Sequence, residues 1–112
     1  MSEWTYAYHD SEFRSTSISG KWLLFFSPQF RDEWWQKVQE ATMAGDLGPA
    51  AKVSNTPRGN RYCICVYCED GKKERAGMEI REKLRELGVG WVISFKFCWM
   101  SRAGKSGSSF SA

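Results

Sequence analysis

Five residues carry the chemistry this chain most readily offers: Lys52, Ser54, Lys96, Arg102 and Lys105. An ammonium is a compact point charge and a guanidinium a planar fork of donors. Together with a hydroxyl they form the side-chain set that neutralises and grips phosphate oxygens. Lys52 and Ser54 stand two apart in Ala50 to Ser54, and Ser94 and Lys96 stand two apart in Trp91 to Trp99. A spacing of two puts each pair on one face of a strand. Arg102 and Lys105 follow in Ser101-Arg102-Ala103-Gly104-Lys105-Ser106, where cations, hydroxyls and glycine are grouped as a phosphate clamp requires. The same residue types also describe a solvated sheet face guarded by lysines and an ordinary mobile terminus. Trp4 and Trp35 are the tryptophans least constrained by periodicity, so they are candidates for stacking on a nucleobase, against the alternative of core or rim packing.

Other chemistries fit the chain less well. Gly104-Lys105-Ser106 echoes the end of a phosphate-binding P-loop, but Trp99 stands where the first glycine is required and no helix has room to follow. Cys63, Cys65 and Cys68 with Cys98 would make four thiolate ligands. A regular strand puts Cys63 and Cys65 on the face opposite Cys68, so the reading preferred is small buried hydrophobes, with no metal or cofactor. His9 is the single histidine, and pairing it with a cysteine nucleophile requires it to fold across the sheet. No residue is assigned as catalytic.

These residues need elements to position them. At 112 residues, 42% hydrophobic and 15% aromatic, the chain is expected to form one domain with a modest core over 1–112, ending in a flexible Ser/Gly-rich segment over 101–112. No stretch approaches the ~20 apolar residues of a membrane span, and the opening MSEWTYAYHD lacks the pattern of a secretory signal. Four cysteines in such a chain point to free thiols in a reducing, cytoplasmic setting. The net charge of +3 allows an anionic partner without demanding one.

Trp4, Tyr6 and Tyr8 alternate as a short strand with one buried aromatic face would. Lys21 to Phe26 is a strong strand. Ser27 then caps a helix with Pro28 at its first position, an apolar stripe of Phe30, Trp34, Val38 and Ala41, Trp35 on the flank, and Gly45 as its stop. Ala50 to Ser54 and Tyr62 to Cys68 read as strands. Lys72 to Leu87 reads as a second amphipathic helix with Ala76, Ile80, Leu84 and Leu87 inward, Gly88 as its cap and a solvated charged face carrying pairs such as Arg75 and Glu79. Trp91 to Trp99 is expected to be the longest strand, with a short edge strand at Phe110. Trp22, Trp34, Trp91 and Trp99 take core positions. With the more apolar strand faces set beneath the helices, Lys21, Lys52, Ser54, Ser94 and Lys96 share the opposite face, and Cys63, Cys65 and Tyr67 join it.

The segments Gly20-Lys21-Trp22-Leu23-Leu24-Phe25, Glu40-Ala41-Thr42, Gly45-Asp46-Leu47-Gly48, Ala51-Lys52-Val53-Ser54, Leu84-Arg85-Glu86-Leu87-Gly88 and Ser101-Arg102-Ala103-Gly104-Lys105 resemble those of the basophilic-leukaemia-expressed (Bles-type) proteins. The resemblance implies an α+β fold like translation initiation factor 4E, the factor that binds the mRNA cap. The elements read along the chain run β-β-α-β-β-α-β, and the resemblance implies that they form a curved antiparallel sheet with two helices packed on one face. The expectation is a binding module for a phosphate-bearing small molecule or RNA end, with Lys52 and Lys96 on the open face and Arg102 and Lys105 as a clamp. Two alternatives stand beside it. One is a lyase-like enzyme using a lysine base on a phosphorylated substrate. The other is a protein-interaction module or homodimer anchored on Trp4 and Trp35.

Overall fold

Side-chain burial alternates along the strand Gly20–Phe26: Trp22, Leu24 and Phe26 are buried, whereas Lys21, Leu23 and Phe25 are not. That period of two is what a sheet covered on one side imposes. The computed structural model describes residues 3–16, 18–69, 74–97 and 110–112. In chain order these form β1 (Trp4–Tyr8), β2 (Gly20–Phe26), α1 (Pro28–Met43), β3 (Ala50–Ser54), β4 (Tyr62–Cys68), α2 (Glu74–Leu87), β5 (Ser94–Phe97) and β6 (Phe110–Ser111). The six strands lie side by side as β1-β3-β4-β2-β5-β6, with every pairing antiparallel. The expected α+β order β-β-α-β-β-α-β is observed, with the short strand at Phe110 closing the far edge.

Both helices end for the same reason. Gly45 (φ 86°) and Gly88 (φ 116°) take the left-handed conformation that glycine enters without strain. At the first, the Gly45 N–H donates to the Thr42 carbonyl and the Asp46 N–H to that of Ala41. At the second, Gly88 donates to Arg85 and Val89 to Leu84, the same crossed pair of bonds. Ser27 stands at the N-cap of α1 with Pro28 following it, but its side chain makes no capping bond.

One core fills the space between the helices and one face of the sheet. It contains Trp22, Leu24 and Phe26 of β2, Val53, Ile64, Val66 and Phe95 from the neighbouring strands, Trp35 and Val38 of α1, and Ile80 and Leu84 of α2. Each fully buried side chain of this size contributes ~1.5–3 kcal/mol through its removal from water. The Trp22 indole N–H donates to the Gly77 carbonyl at 2.9 Å, which ties β2 to α2. Gly20 is required beside it, because a Cβ there would stand 2.2 Å from the Phe95 ring.

Four expectations need correction. In β1 the buried residue is Ala7, while Tyr6 and Tyr8 are exposed, because the pairing of Ala7 with Ala51 sends Ala7 toward the helices and the aromatics the other way. In α1 the core stripe is Trp35, Val38, Ala41 and Thr42, with Trp34 at its margin; Phe30 lies exposed. The stripe is rotated because Arg31 lies beside β3, donating to the Ser54 carbonyl and the Asn55 side chain. The last long strand begins at Ser94 rather than Trp91, and Trp91 is exposed, meeting Phe26 and Trp34 edge-on.

The fourth concerns α2, whose charged face is not wholly solvated. The expected Arg75–Glu79 pair forms at 3.4 Å, but Arg81 is 1% exposed. Its guanidinium donates to the carbonyls of Val89 (2.9 Å), Trp91 (2.7 Å) and Ala112 (3.0 Å), pinning the turn after α2 to the end of β6. Lys72 and Trp99 lie outside the described residues, as does Cys98.

Candidate functional site

The face of the sheet turned away from the helices carries the cations. Register puts Lys21 of β2 directly opposite Lys96 of β5, and Lys52 of β3 directly opposite Cys65 of β4. Leu23 of β2 lies across from Cys65 and from Ser94, so Ser94 belongs to this face too. Strand positions on this face are Trp4, Tyr6 and Tyr8; Lys21, Leu23 and Phe25; Ala50, Lys52 and Ser54; Cys63, Cys65 and Tyr67; Ser94 and Lys96; and Ser111. None is acidic. Like charges directly across an antiparallel pair repel. Among the described residues neither Lys21 nor Lys96 has a carboxylate within ion-pair reach.

Aromatic rings hold two of these lysines in place. The Lys52 Nζ lies 3.9 Å from the centre of the Trp4 ring, 6.0 Å from Tyr6 and 5.8 Å from Tyr67. The Lys21 Nζ is 6.0 Å from the same Tyr67 ring. Such contacts attract through the negative face of the ring. Tyr67 is the pivot of the cluster, and Phe13 from the loop after β1 packs on it at 5.4 Å. Tyr6 and Tyr8 stack at 5.8 Å, and with Phe13, Arg14, Ser15, Ala50 and Tyr67 they line a cleft of about 150 Å3. The Arg14 guanidinium donates to the carbonyls of Ser11 and Phe13 in its own loop. Burial, then the charges of Tyr8 and Cys65, push the Tyr6 phenol above its ordinary pKa.

The Cys63 and Cys65 sulfurs stand 3.8 Å apart on this face. Their hydrogen bond holds Cys65 below the ordinary thiol range, opposed by burial and reinforced by Lys21, Lys52 and Lys96. The same bond, and then burial, drives the Cys63 thiol upward. The two thiols therefore titrate as a coupled pair rather than as separate groups.

The sequence-derived residues fare unequally. Lys52, Ser54, Lys96 and Trp4 share the open face. The Ser54 hydroxyl oxygen accepts the Cys63 backbone N–H at 2.9 Å, so it is engaged within the sheet. Trp35 is buried among core side chains on the helix side, which removes it as a stacking platform and as an exposed partner anchor. Arg102 and Lys105 lie outside the described residues. Cys68 packs into the helix-side core, away from the Cys63–Cys65 pair. His9 sits at the end of α1, its ring 3.5 Å from the Met43 carbonyl. Lys21 was legible by strand alternation as a third cation. Phe13 was not, because a loop residue has no period to betray where it packs.

With that geometry in view, the chain can be set beside known proteins. Residues 13–92 match the family described as basophilic leukemia-expressed protein Bles03. The chain belongs to that family. Its fold also resembles solved structures of translation initiation factor 4E. A complex of C. elegans eIF4E-3 with the 4E-binding protein Mextli and a cap analog aligns with a TM-score of 0.69 at 16% identity, over 85% of this chain and 57% of that one. Schistosome eIF4E with m7GpppG and 4E-BP gives 0.68 at 16% identity, over 85% and 59%. Ascaris suum eIF4E-3 with an m2,2,7G cap gives 0.60 at 19% identity, over 83% and 54%. The chain thus spans a little over half the length of these proteins. At such identities the likeness establishes the fold. Among the described residues no helix is long and apolar enough to cross a membrane.

Proposed function

We propose that this protein is a binding module that takes a phosphate-bearing ligand, a nucleotide or RNA end, on the open face of its sheet. One observation carries the reading: Lys21 and Lys96 face each other across β2 and β5, with Lys52 joined to Lys21 through the Tyr67 ring, on a face whose strand positions include no acid. Cations so arranged repel, and a phosphate between them turns repulsion into charge-assisted hydrogen bonding. Trp4 and Tyr6, on the same face, offer ring surface to a base. The resemblance to factors solved with cap analogs supports a nucleotide over a bare anion. Arg102 and Lys105 extend the proposal as the phosphate clamp. The free thiols of Cys63 and Cys65 suit a reducing, cytoplasmic setting.

A thermal-shift and affinity panel of nucleoside triphosphates, cap analogs and 5′-phosphorylated RNA tests this reading. A ligand of the folded state raises the melting temperature with its concentration. Affinity is expected to fall steeply between low and physiological salt, because ligand phosphate displaces ions held by the lysines. Binding indifferent to salt, or no ligand in the panel shifting the melting temperature, removes the reading.

A further inference from the structure

The open face also holds two sulfurs. Cys63 and Cys65 are separated by one residue in β4, so strand alternation turns both side chains to the same side, and the sulfurs stand 3.8 Å apart. They differ in access: Cys63 is partly exposed, whereas Cys65 is 2% exposed. Cys65 faces Lys52 across one ladder and Leu23 across the other. The charged and titratable groups facing the pair are Lys21, Lys52 and Lys96, with Tyr6 beyond Lys52.

We propose that Cys63 and Cys65 form a thiol-modification site, at which a peroxide oxidises Cys63 and the adjoining Cys65 sulfur closes a Cys63–Cys65 disulfide. Access decides the roles, since a small oxidant reaches Cys63 and not the sulfur buried beneath the lysines. The Cys63 sulfur attacks one peroxide oxygen as its proton leaves. The O–O bond breaks, Cys63 becomes a sulfenic acid, and the departing hydroxide takes that proton and leaves as water. The Cys65 sulfur then attacks the Cys63 sulfur, forms the S–S bond and gives its own proton to the expelled hydroxide, which leaves as a second water. In sum the two thiols and one hydrogen peroxide give a disulfide and two waters.

The backbone sets the character of that bond. Residues two apart in a strand have Cα atoms ~6.4–6.8 Å apart, the upper end of what a disulfide spans. The ladders on both sides of β4 resist the contraction. The disulfide is therefore strained and readily reopened by thiol reductants, as befits a reversible mark rather than a structural brace.

The test uses the reduced full chain exposed to hydrogen peroxide, followed by alkylation of remaining thiols and mass analysis of the fragment beginning at Tyr62. The expected product has lost two hydrogens, keeps an alkylated Cys68 and returns to the start with dithiothreitol. In Cys65→Ser no disulfide forms, and the Cys63 sulfenic acid is trapped by dimedone instead. A measurement on the wild type guards against a misfolded variant. One equivalent of phenylarsine oxide, which bridges neighbouring thiols with loss of water, should block Cys63 and Cys65 together and spare Cys68. The proposal is overturned if peroxide leaves both thiols alkylatable, if the disulfide joins Cys68 or a second chain, or if the arsenical fails to protect the pair.

Discussion

The two faces of this sheet come from the same strands yet answer opposite demands. On the helix side Arg81 is buried, and its guanidinium meets three backbone carbonyls. On the open face Lys21 and Lys96 stand opposite each other, and the Lys52 ammonium lies over the Trp4 ring. A buried charge must be paid in hydrogen bonds within the fold itself. A charge beside water need not be, and the fold can tolerate a local repulsion there. The buried guanidinium thus ties the fold together on one side, while the lysines of the other side stand beside water.

That contrast breaks first at Arg81. Arg81→Ala should cost about 3 kcal/mol, because it removes charge-assisted bonds and leaves the Val89 carbonyl buried without its donor. Urea unfolding measures it, and a loss below about 1 kcal/mol would mean the guanidinium is not structural. Lys52→Met is expected to cost about 1 kcal/mol, the worth of a cation on the Trp4 ring, while weakening phosphate binding markedly. A Lys52→Met protein that melts early and binds normally would make Lys52 purely structural and sink the phosphate reading. The smallest effect has the opposite sign. Lys96→Met should raise stability by about 0.2–1 kcal/mol, by relieving the repulsion with Lys21, and should flatten the salt dependence of binding. A loss of stability instead would show that Lys96 is held by a partner of its own.

Much of this division is legible in residue order. The alternation in Lys21 to Phe26, the lysine of Ala50 to Ser54 and that of the final strand are enough to put three cations on one face, because strand period is local geometry. Helix ends are equally local, and Gly45 and Gly88 both stop their helices as expected. Where local pattern failed, a longer-range contact had decided. The aromatics of β1 look like a buried stripe, yet they face outward because pairing with β3 aligns the small Ala7 with the core. In α1 the choice between Phe30 and Trp35 turned on Arg31 meeting the Ser54 carbonyl, a bond to a strand 23 residues away. Arg81 looked like one more solvated helix charge because its three acceptors lie in other segments of the chain.

By itself the sequence determined the α+β class, the order of elements and which side chains share a strand face, since all three follow from periodicity and glycine conformation. Only the tertiary structure decided which of the two faces the helices cover at each strand, and which side chains then meet: Lys21 against Lys96, Lys52 over Trp4, Phe13 on Tyr67, and the two sulfurs beneath the lysines. Those meetings depend on register between strands distant in sequence. Register is set by the whole core at once, because slipping one strand by a single residue would carry its apolar side chains out of the core and into water.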